Sequence, residues 1–204
     1  MAAQLFWTKG YAATTTRELA DALGVQKASL YHYMDSKEDL LYSICLHSVQ
    51  NLYDRVIAAV GRAHDPLARV RAVIGAHVMA MLEDREKHAT MLTELESLSP
   101  TRRDEVSAKR SEYEKLVREV LVAAQEAGAL TKDLAAKDLE LTLLNLLNWT
   151  IFWYRPEGEY TPEDLVEMFE RLYLGGAAAR RPQSSKKGIS RRPGGGGTRP
   201  PGCG

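Results

Sequence analysis

Apolar residues recur with the period of an α-helix from near the N-terminus to about residue 174. A short segment, Thr16 to Leu23, has one apolar face, and the longer segment from Ser36 to about Gly61 keeps the same period throughout. No convincing stretch alternates with the two-residue period of a β-strand. The pattern predicts an all-α chain of about nine helices, the long Ser36 to Gly61 helix serving as a rigid strut between two domains.

Helix starts are marked by capping residues, and proline often follows them. Ser36 is a predicted N-cap, with acidic residues behind it that favour a helix N-terminus. Asp65, Ser99 and Thr161 each precede a proline, which suits the first helical position. The expected helices of this region run from Pro66 to about Glu86, from about His88 to Leu98, from Pro100 to Ala127, from Ala135 to Tyr154, and from Pro162 to about Leu174, where Gly175 and Gly176 end the last.

The segment from Thr15 to Lys37 predicts a helix-turn-helix. Gly24 separates two short helical halves, and glycine accepts the left-handed conformation of a tight turn. The second half, Gln26 to Tyr33, is too short to be stable alone and must pack against its neighbour. Its remaining side chains are short polar, basic and aromatic, which are types that contact phosphates and base edges in a major groove.

The first 45 residues or so carry a family resemblance. Matching features are LF-x3-GY, Thr-Thr-x-x-Leu-Ala, Leu-Gly-Val at the turn, Leu-Tyr-His-Tyr, and Ser-Lys-Glu-x-Leu. With these spacings the segment resembles the DNA-binding domain of TetR-type bacterial transcription regulators. The resemblance implies DNA contacts from Thr15, Thr16, Arg17, Gln26, Lys27, Ala28, Ser29, Tyr31, His32 and Lys37.

These predicted contacts divide by chemistry. Arg17 and Lys27 are long cations that reach a guanine edge or a phosphate. Ser29 is a short donor, and Ala28 suits a thymine methyl group. Thr15 or Thr16, Tyr31, His32 and Lys37 are expected to hold phosphates or sugars without reading sequence. Gln26 and Ala28 replace the serine and glycine more common in the family, so its base preference does not carry over.

The segment Ala135 to Tyr154 is apolar around nearly its whole circumference. A helix of this kind is buried on every side, which in a chain of this size implies a partner subunit or a ligand cavity. The family resemblance implies a homodimer through residues 135–154 and 162–174. A dimer would place two recognition helices about 34 Å apart, on successive turns of one DNA face.

A ligand pocket is the second expectation for the C-terminal part. Flexible and aromatic side chains with an occasional polar group suit an apolar or acyl ligand, although such residues also form ordinary core. The predicted lining comprises Met81, Met91, Leu95, Leu121, Asn145, Trp149 and Phe152. Residues 148–168 are also similar to actinobacterial regulators of lipid and steroid breakdown that answer acyl-CoA thioesters. That similarity makes Arg102, Arg103, Lys109 and Arg110 candidates for CoA phosphates, with a solvated helix face as the alternative.

Charge is unevenly distributed along the 204 residues. The chain has a net charge of zero, but Arg180 to Gly204 contains seven bases and no acid, leaving 20 bases against 27 acids, a net of −7, in residues 1–179. DNA binding must therefore rest on a few local contacts rather than on overall charge. We expect three regions: a DNA-binding domain (1–45), a ligand-binding and dimerisation domain (46–178), and a disordered basic tail (179–204) that either touches DNA phosphates or is a solvated extension.

Other functional classes find little support. His47, His64, His77 and His88 lack metal-ligand spacing, and Gly-rich phosphate loops are absent, so we expect no enzyme, metal or cofactor. Two cysteines and no apolar spanning segment suit the cytoplasm. The first helix is short, and we expect the natural start to lie upstream; the alternative is a degenerate N-terminus with weakened DNA binding. The predicted function is a repressor released from its operator by a small ligand; the alternative is a helical small-molecule-binding protein with lost or weakened DNA binding.

Overall fold

The fold is all-α, as predicted. The computed structural model describes residues 1–26 and 34–177, which contain eight α-helices, a single 3-10 turn at Leu95–Ser97, and no extended β-strand. The helices are α1 (Ala2–Lys9), α2 (Thr16–Leu23), α3 (Lys37–Arg62), α4 (Pro66–Glu83), α5 (Arg85–Glu94), α6 (Pro100–Glu126), α7 (Ala136–Trp153) and α8 (Pro162–Ala177). Apart from Gln26, the predicted recognition helix lies outside the described residues, as does the predicted tail.

Side-chain caps fix three of the helix starts that the sequence predicts. In each, a side-chain oxygen accepts a hydrogen bond from the backbone N–H three residues further on, which satisfies one of the free donors of the first turn. The pairs are Ser36 with Asp39, Asp65 with Ala68, and Thr161 with Asp164, at N···O distances of 2.9 to 3.1 Å. Ser36, Asp65 and Thr161 are therefore the N-caps that the sequence predicts.

Two predicted boundaries were wrong. α4 ends at Glu83 and α5 begins at Arg85, because the chain leaves helical geometry at Asp84 (φ −113°, ψ 42°). Gly175 and Gly176 do not end the last helix, which continues to Ala177. Glycine in a helix costs only about 1 kcal/mol relative to alanine, which is too little to stop a helix that is already packed.

The N-terminal part shares its core with the C-terminal part. Phe6, Leu41 and Cys45 of the N-terminal segments are fully buried in one cluster, and Met91 and Leu95 from α5 and the turn behind it belong to that cluster. A separate core joins α3, α4, α6, α7 and α8. The boundary predicted after residue 45 falls inside α3, a continuous helix that contributes to both cores. The two parts are thus joined by packing as well as by the chain.

Polar contacts reinforce the junction between α1, α5 and α7. The Thr90 hydroxyl on α5 donates to the Ala3 carbonyl on α1 at 2.9 Å. The Arg85 guanidinium lies 4.7 Å from the centre of the Trp7 ring and donates through Nε and Nη2 to the Ile151 carbonyl at 3.1 and 2.6 Å. One arginine thereby connects the first helix to the end of α7.

Candidate nucleic-acid interface and interior cleft

The second helix is fixed at both ends. At its start the Thr15 hydroxyl accepts from the Glu18 N–H at 3.2 Å, and a Glu18 carboxylate oxygen accepts from the Thr15 N–H at 2.9 Å, forming a capping box. A hydrogen bond from Lys9, together with those from Thr15, lowers the Glu18 pKa to about 2. At the other end Gly24 adopts a left-handed conformation (φ 70°, ψ 25°). These contacts hold Arg17 on an exposed first turn.

Five of the ten predicted DNA contacts can be placed. Thr15 is the N-cap of α2, Thr16 is half-buried, Arg17 and Gln26 are exposed, and Lys37 opens α3. Arg17 makes no ion pair with any described residue, so it is available to a phosphate or base. The other five, Lys27, Ala28, Ser29, Tyr31 and His32, lie outside the described residues. The DNA contacts remain predictions.

Lys37 has a structural role that the sequence did not reveal. Its ammonium donates to the carbonyls of Tyr11 and Thr14 at 2.8 and 2.9 Å and lies 4.1 Å from the centre of the Tyr11 ring. It thus holds the loop between α1 and α2 against the start of α3. An ammonium has three N–H donors, so one remains for the predicted phosphate contact.

Replacing Lys37 by methionine is expected to lower the free energy of unfolding by about 2 kcal/mol, because two charge-assisted hydrogen bonds to half-buried carbonyls are lost while the alkyl packing is kept. Urea unfolding followed by circular dichroism measures the change. Lys9→Met is the matched control, since Lys9 pairs with Glu18 at an exposed surface and its loss should change stability little. Equal effects of the two substitutions would contradict the structural role.

A cleft lies inside the C-terminal part, bounded by α3, α5, α6 and α7. Its cavity volume is only about 30 Å³, which is room for about one water molecule. Five of its ten lining residues are apolar and five carry polar groups, a mixture that suits a ligand with an apolar body and polar atoms. The lining residues are Val49, Leu52, His88, Met91, Leu92, Arg110, Tyr113, Glu114, Leu144 and Asn148.

A polar network, formed by His77, His88, Asn148, Tyr113 and Ser48, borders this cleft. The Asn148 Oδ1 atom lies 3.2 Å from His77 Nε2 and 3.1 Å from His88 Nε2. On their other sides, His77 Nδ1 lies 2.7 Å from the Tyr113 hydroxyl and His88 Nδ1 lies 3.3 Å from the Ser48 hydroxyl. Both imidazoles are therefore paired at both nitrogens, as buried polar groups require.

Both imidazoles are neutral at pH 7. His77 is fully buried, and desolvation followed by the nearby His88 lowers its pKa to about 3. Desolvation is also the main cause that lowers the His88 pKa to about 4. In the sequence, His47, His64, His77 and His88 show no metal-ligand spacing. The fold brings two of them, eleven positions apart, onto one asparagine on a third helix.

The seven predicted pocket residues do not line one cavity, and this part of the prediction needs correction. Met91 alone among them lines the cleft. Met81 and Leu121 are buried in other apolar clusters, and Leu95 lies in the core shared with α1. Asn145, Trp149 and Phe152 are exposed on the outer face of α7. Helical period alone does not reveal which face of α7 turns inward.

Of the four basic residues proposed for CoA phosphates, Arg110 alone lines the cleft. It pairs weakly with Glu114, at 3.9 Å. Arg102 pairs with Asp39 at the start of α3, while Arg103 and Lys109 pair with Glu96 and Glu112 at 2.9 and 2.8 Å. Arg102, Arg103 and Lys109 therefore mainly form ion pairs at the surface or between the N-terminal and C-terminal parts.

The outer face of α7 and α8 is unusually apolar. Trp149 is 64% exposed, Leu141 58% and Leu172 61%, and the rings of Trp149 and Phe152 lie 4.9 Å apart between centres. Large exposed apolar side chains grouped on one face mark an interaction surface. The two helices are those that the sequence predicted for the dimer.

None of the described helices is long and apolar enough to cross a membrane.

A capped helix that ends in a left-handed glycine turn, an interior cleft and an apolar helical face are together features expected of a ligand-responsive, DNA-binding regulator. The family model "Bacterial regulatory proteins, tetR family" matches residues 1–44, and "Tetracyclin repressor-like, C-terminal domain" matches residues 63–177. The chain belongs to the TetR family of bacterial regulatory proteins. It is thus a DNA-binding transcriptional regulator.

Individual relatives agree with this assignment along nearly the whole chain. The transcriptional repressor KstR2 of Rhodococcus jostii is 30% identical over 183 residues, 88% of each chain. The structure of the ketosteroid transcriptional regulator KstR2 of Mycobacterium tuberculosis has a TM-score of 0.82 at 26% identity, covering 88% of this chain and 92% of that one. The TetR-family regulator PfmR of Thermus thermophilus has a TM-score of 0.79 at 34% identity, covering 88% and 97%.

Proposed function

We propose that the protein is a homodimeric transcriptional repressor that leaves its operator when a small apolar or acyl-CoA-like molecule enters the interior cleft. Its place of action is the cytoplasm, where operator DNA is accessible. The curated relative that matches 88% of the chain at 30% identity is a repressor, which favours repression over activation.

The observation that carries this proposal is the position of α5. His88 and Met91 on this helix line the cleft, while Thr90 between them binds the Ala3 carbonyl of α1. Met91 also belongs to the core shared with the DNA-binding part. A ligand that moves His88 therefore moves the helix on which α1 rests.

The cleft must widen to accept a ligand, because side chains from four helices leave little room inside it. A ligand that binds the widened state better shifts the population towards it. The two DNA-binding parts of the dimer would then change spacing, and only one spacing fits two half-sites on successive helical turns. Arg110 at the cleft is the residue proposed to meet an anionic group such as a CoA phosphate.

A gel shift with DNA from upstream of the protein's own gene tests operator binding. The Arg17→Ala, Lys27→Ala double variant is expected to weaken the specific complex at least roughly 100-fold, because each base contact contributes about 1 to 3 kcal/mol and each is made twice in a dimer. The Arg62→Ala, Lys132→Ala double variant removes the same charge from exposed sites elsewhere and serves as the control.

The outcome separates the two functions weighed from the sequence. Specific binding that the first double variant loses and the control keeps supports the repressor. Equal weakening in both variants would show non-specific attraction only. Ligand binding without any specific shift would instead support a small-molecule-binding protein that has lost its operator.

A further inference from the structure

The orientation of the Asn148 side-chain amide follows from which groups of the network must donate hydrogen bonds and which must accept them. The Tyr113 and Ser48 hydroxyls are buried, and neither has another hydrogen-bond acceptor among the described residues besides an imidazole Nδ1. If that nitrogen carried the proton, each hydroxyl hydrogen would be left without a partner, which is costly in the interior. Both hydroxyls therefore donate, and the Nδ1 atoms of His77 and His88 accept.

The protons of both neutral imidazoles are then on Nε2. Both Nε2–H groups donate to the Oδ1 of Asn148, at 3.2 and 3.1 Å, and together use its two lone pairs. The amide oxygen must face the histidines, so the NH2 group is turned away from them. This nitrogen has no partner among the described residues, and Asn148 lines the cleft. The histidine pair thus fixes an amide donor with two free N–H groups.

We infer that Asn148 is the specificity-determining residue of the cleft and that its amide donates to a carbonyl oxygen of the effector. The inference rests on the proposed function, since it names the ligand chemistry of the same cleft. A carbonyl oxygen accepts up to two hydrogen bonds and has no proton that needs a partner. The surrounding Val49, Leu52, Leu92 and Leu144 side chains require an apolar body next to it.

Two kinds of molecule supply this chemistry, a free ketone and the thioester carbonyl of an acyl-CoA. Isothermal titration of the full-length protein with 2-octanone and with octanoyl coenzyme A distinguishes them. Asn148→Leu is expected to weaken binding of the recognised carbonyl roughly tenfold, the effect of losing about one hydrogen bond. Gln4→Leu, which removes an exposed side-chain amide on α1, away from both the cleft and the α7–α8 face, should change either affinity less than about twofold.

Each result decides the inference. Weakening with 2-octanone places the carbonyl on a ketone, and weakening with octanoyl coenzyme A alone places it on a thioester. Unchanged affinity for both in Asn148→Leu, equal losses in the Gln4 variant, or no binding of either compound to the wild type would each overturn the assignment.

A second measurement needs no substitution, which matters because Asn148→Leu leaves two imidazole N–H groups unpaired and lowers folding stability. Nitrogen-15 NMR of the wild-type protein should show His77 and His88 as neutral Nε2–H tautomers. A proton on Nδ1 of either ring would reverse the amide and contradict the inference. Neither assay contains DNA, so a negative result is distinct from a failure of operator binding.

Discussion

Trp149→Glu is expected to convert the dimer into monomers and to weaken operator binding at least about 100-fold. Trp149 is the most exposed aromatic side chain of α7, and its ring packs at a tilt against the ring of Phe152. Aromatic residues near the centre of an interface carry much of its binding energy, and a carboxylate placed there is desolvated without a partner. A monomer has one recognition element and loses the gain in affinity from binding two half-sites together.

Sedimentation velocity measures the association state, and the gel shift with upstream DNA measures the affinity. Ile57→Glu is the matched control, because Ile57 is 42% exposed on α3, outside the α7–α8 face. That variant should remain dimeric. A Trp149→Glu protein that sediments as a dimer and binds DNA normally would place the interface elsewhere.

Acidification from pH 7 to pH 5 is expected to reduce the free energy of unfolding by about 4 kcal/mol through His77 and His88. Their folded pKa values, about 3 and about 4, lie below the ordinary value of 6.5. Between pH 6.5 and these values the unfolded chain binds more protons than the folded one, so stability falls as the pH falls. Each histidine contributes about 2 kcal/mol over this interval.

Urea unfolding at the two pH values measures the loss, and NMR assigns it. The His77 and His88 resonances should not titrate between pH 7.5 and pH 5. The His47→Gln, His64→Gln variant should retain the full acid sensitivity. Titration of either buried ring near pH 6.5 would show that the network does not exclude water.

Local sequence signals predicted the elements of this fold well. Ser36, Asp65 and Thr161 start helices because their side chains satisfy a backbone donor within three residues, a contact visible in the sequence itself. Gly24 turns the chain as expected because its left-handed conformation is required there. Gly175 is also a glycine, but no left-handed conformation is required at its position, so the last helix continues through it.

The site depended on information that helical period does not contain. Asn145 and Asn148 are three positions apart on α7, and only the rotation of that helix against α4 and α5 turns Asn148 inward. His77 and His88 meet because both face Asn148 of α7, a tertiary arrangement that no spacing rule predicts. Lys37 looked like a phosphate anchor because of its charge, although nearby carbonyls already use two of its donors.

The two sides of α7 serve different neighbours, since Asn148 faces the cleft and the adjacent Trp149 faces outward. A packed helix moves as a unit, so a shift on its inner side displaces its outer side as well. In the dimer, the first effector molecule would therefore disturb the surface against which the second subunit rests. Occupation of one subunit should alter the affinity of the other, so that the dose response differs from that of two independent sites.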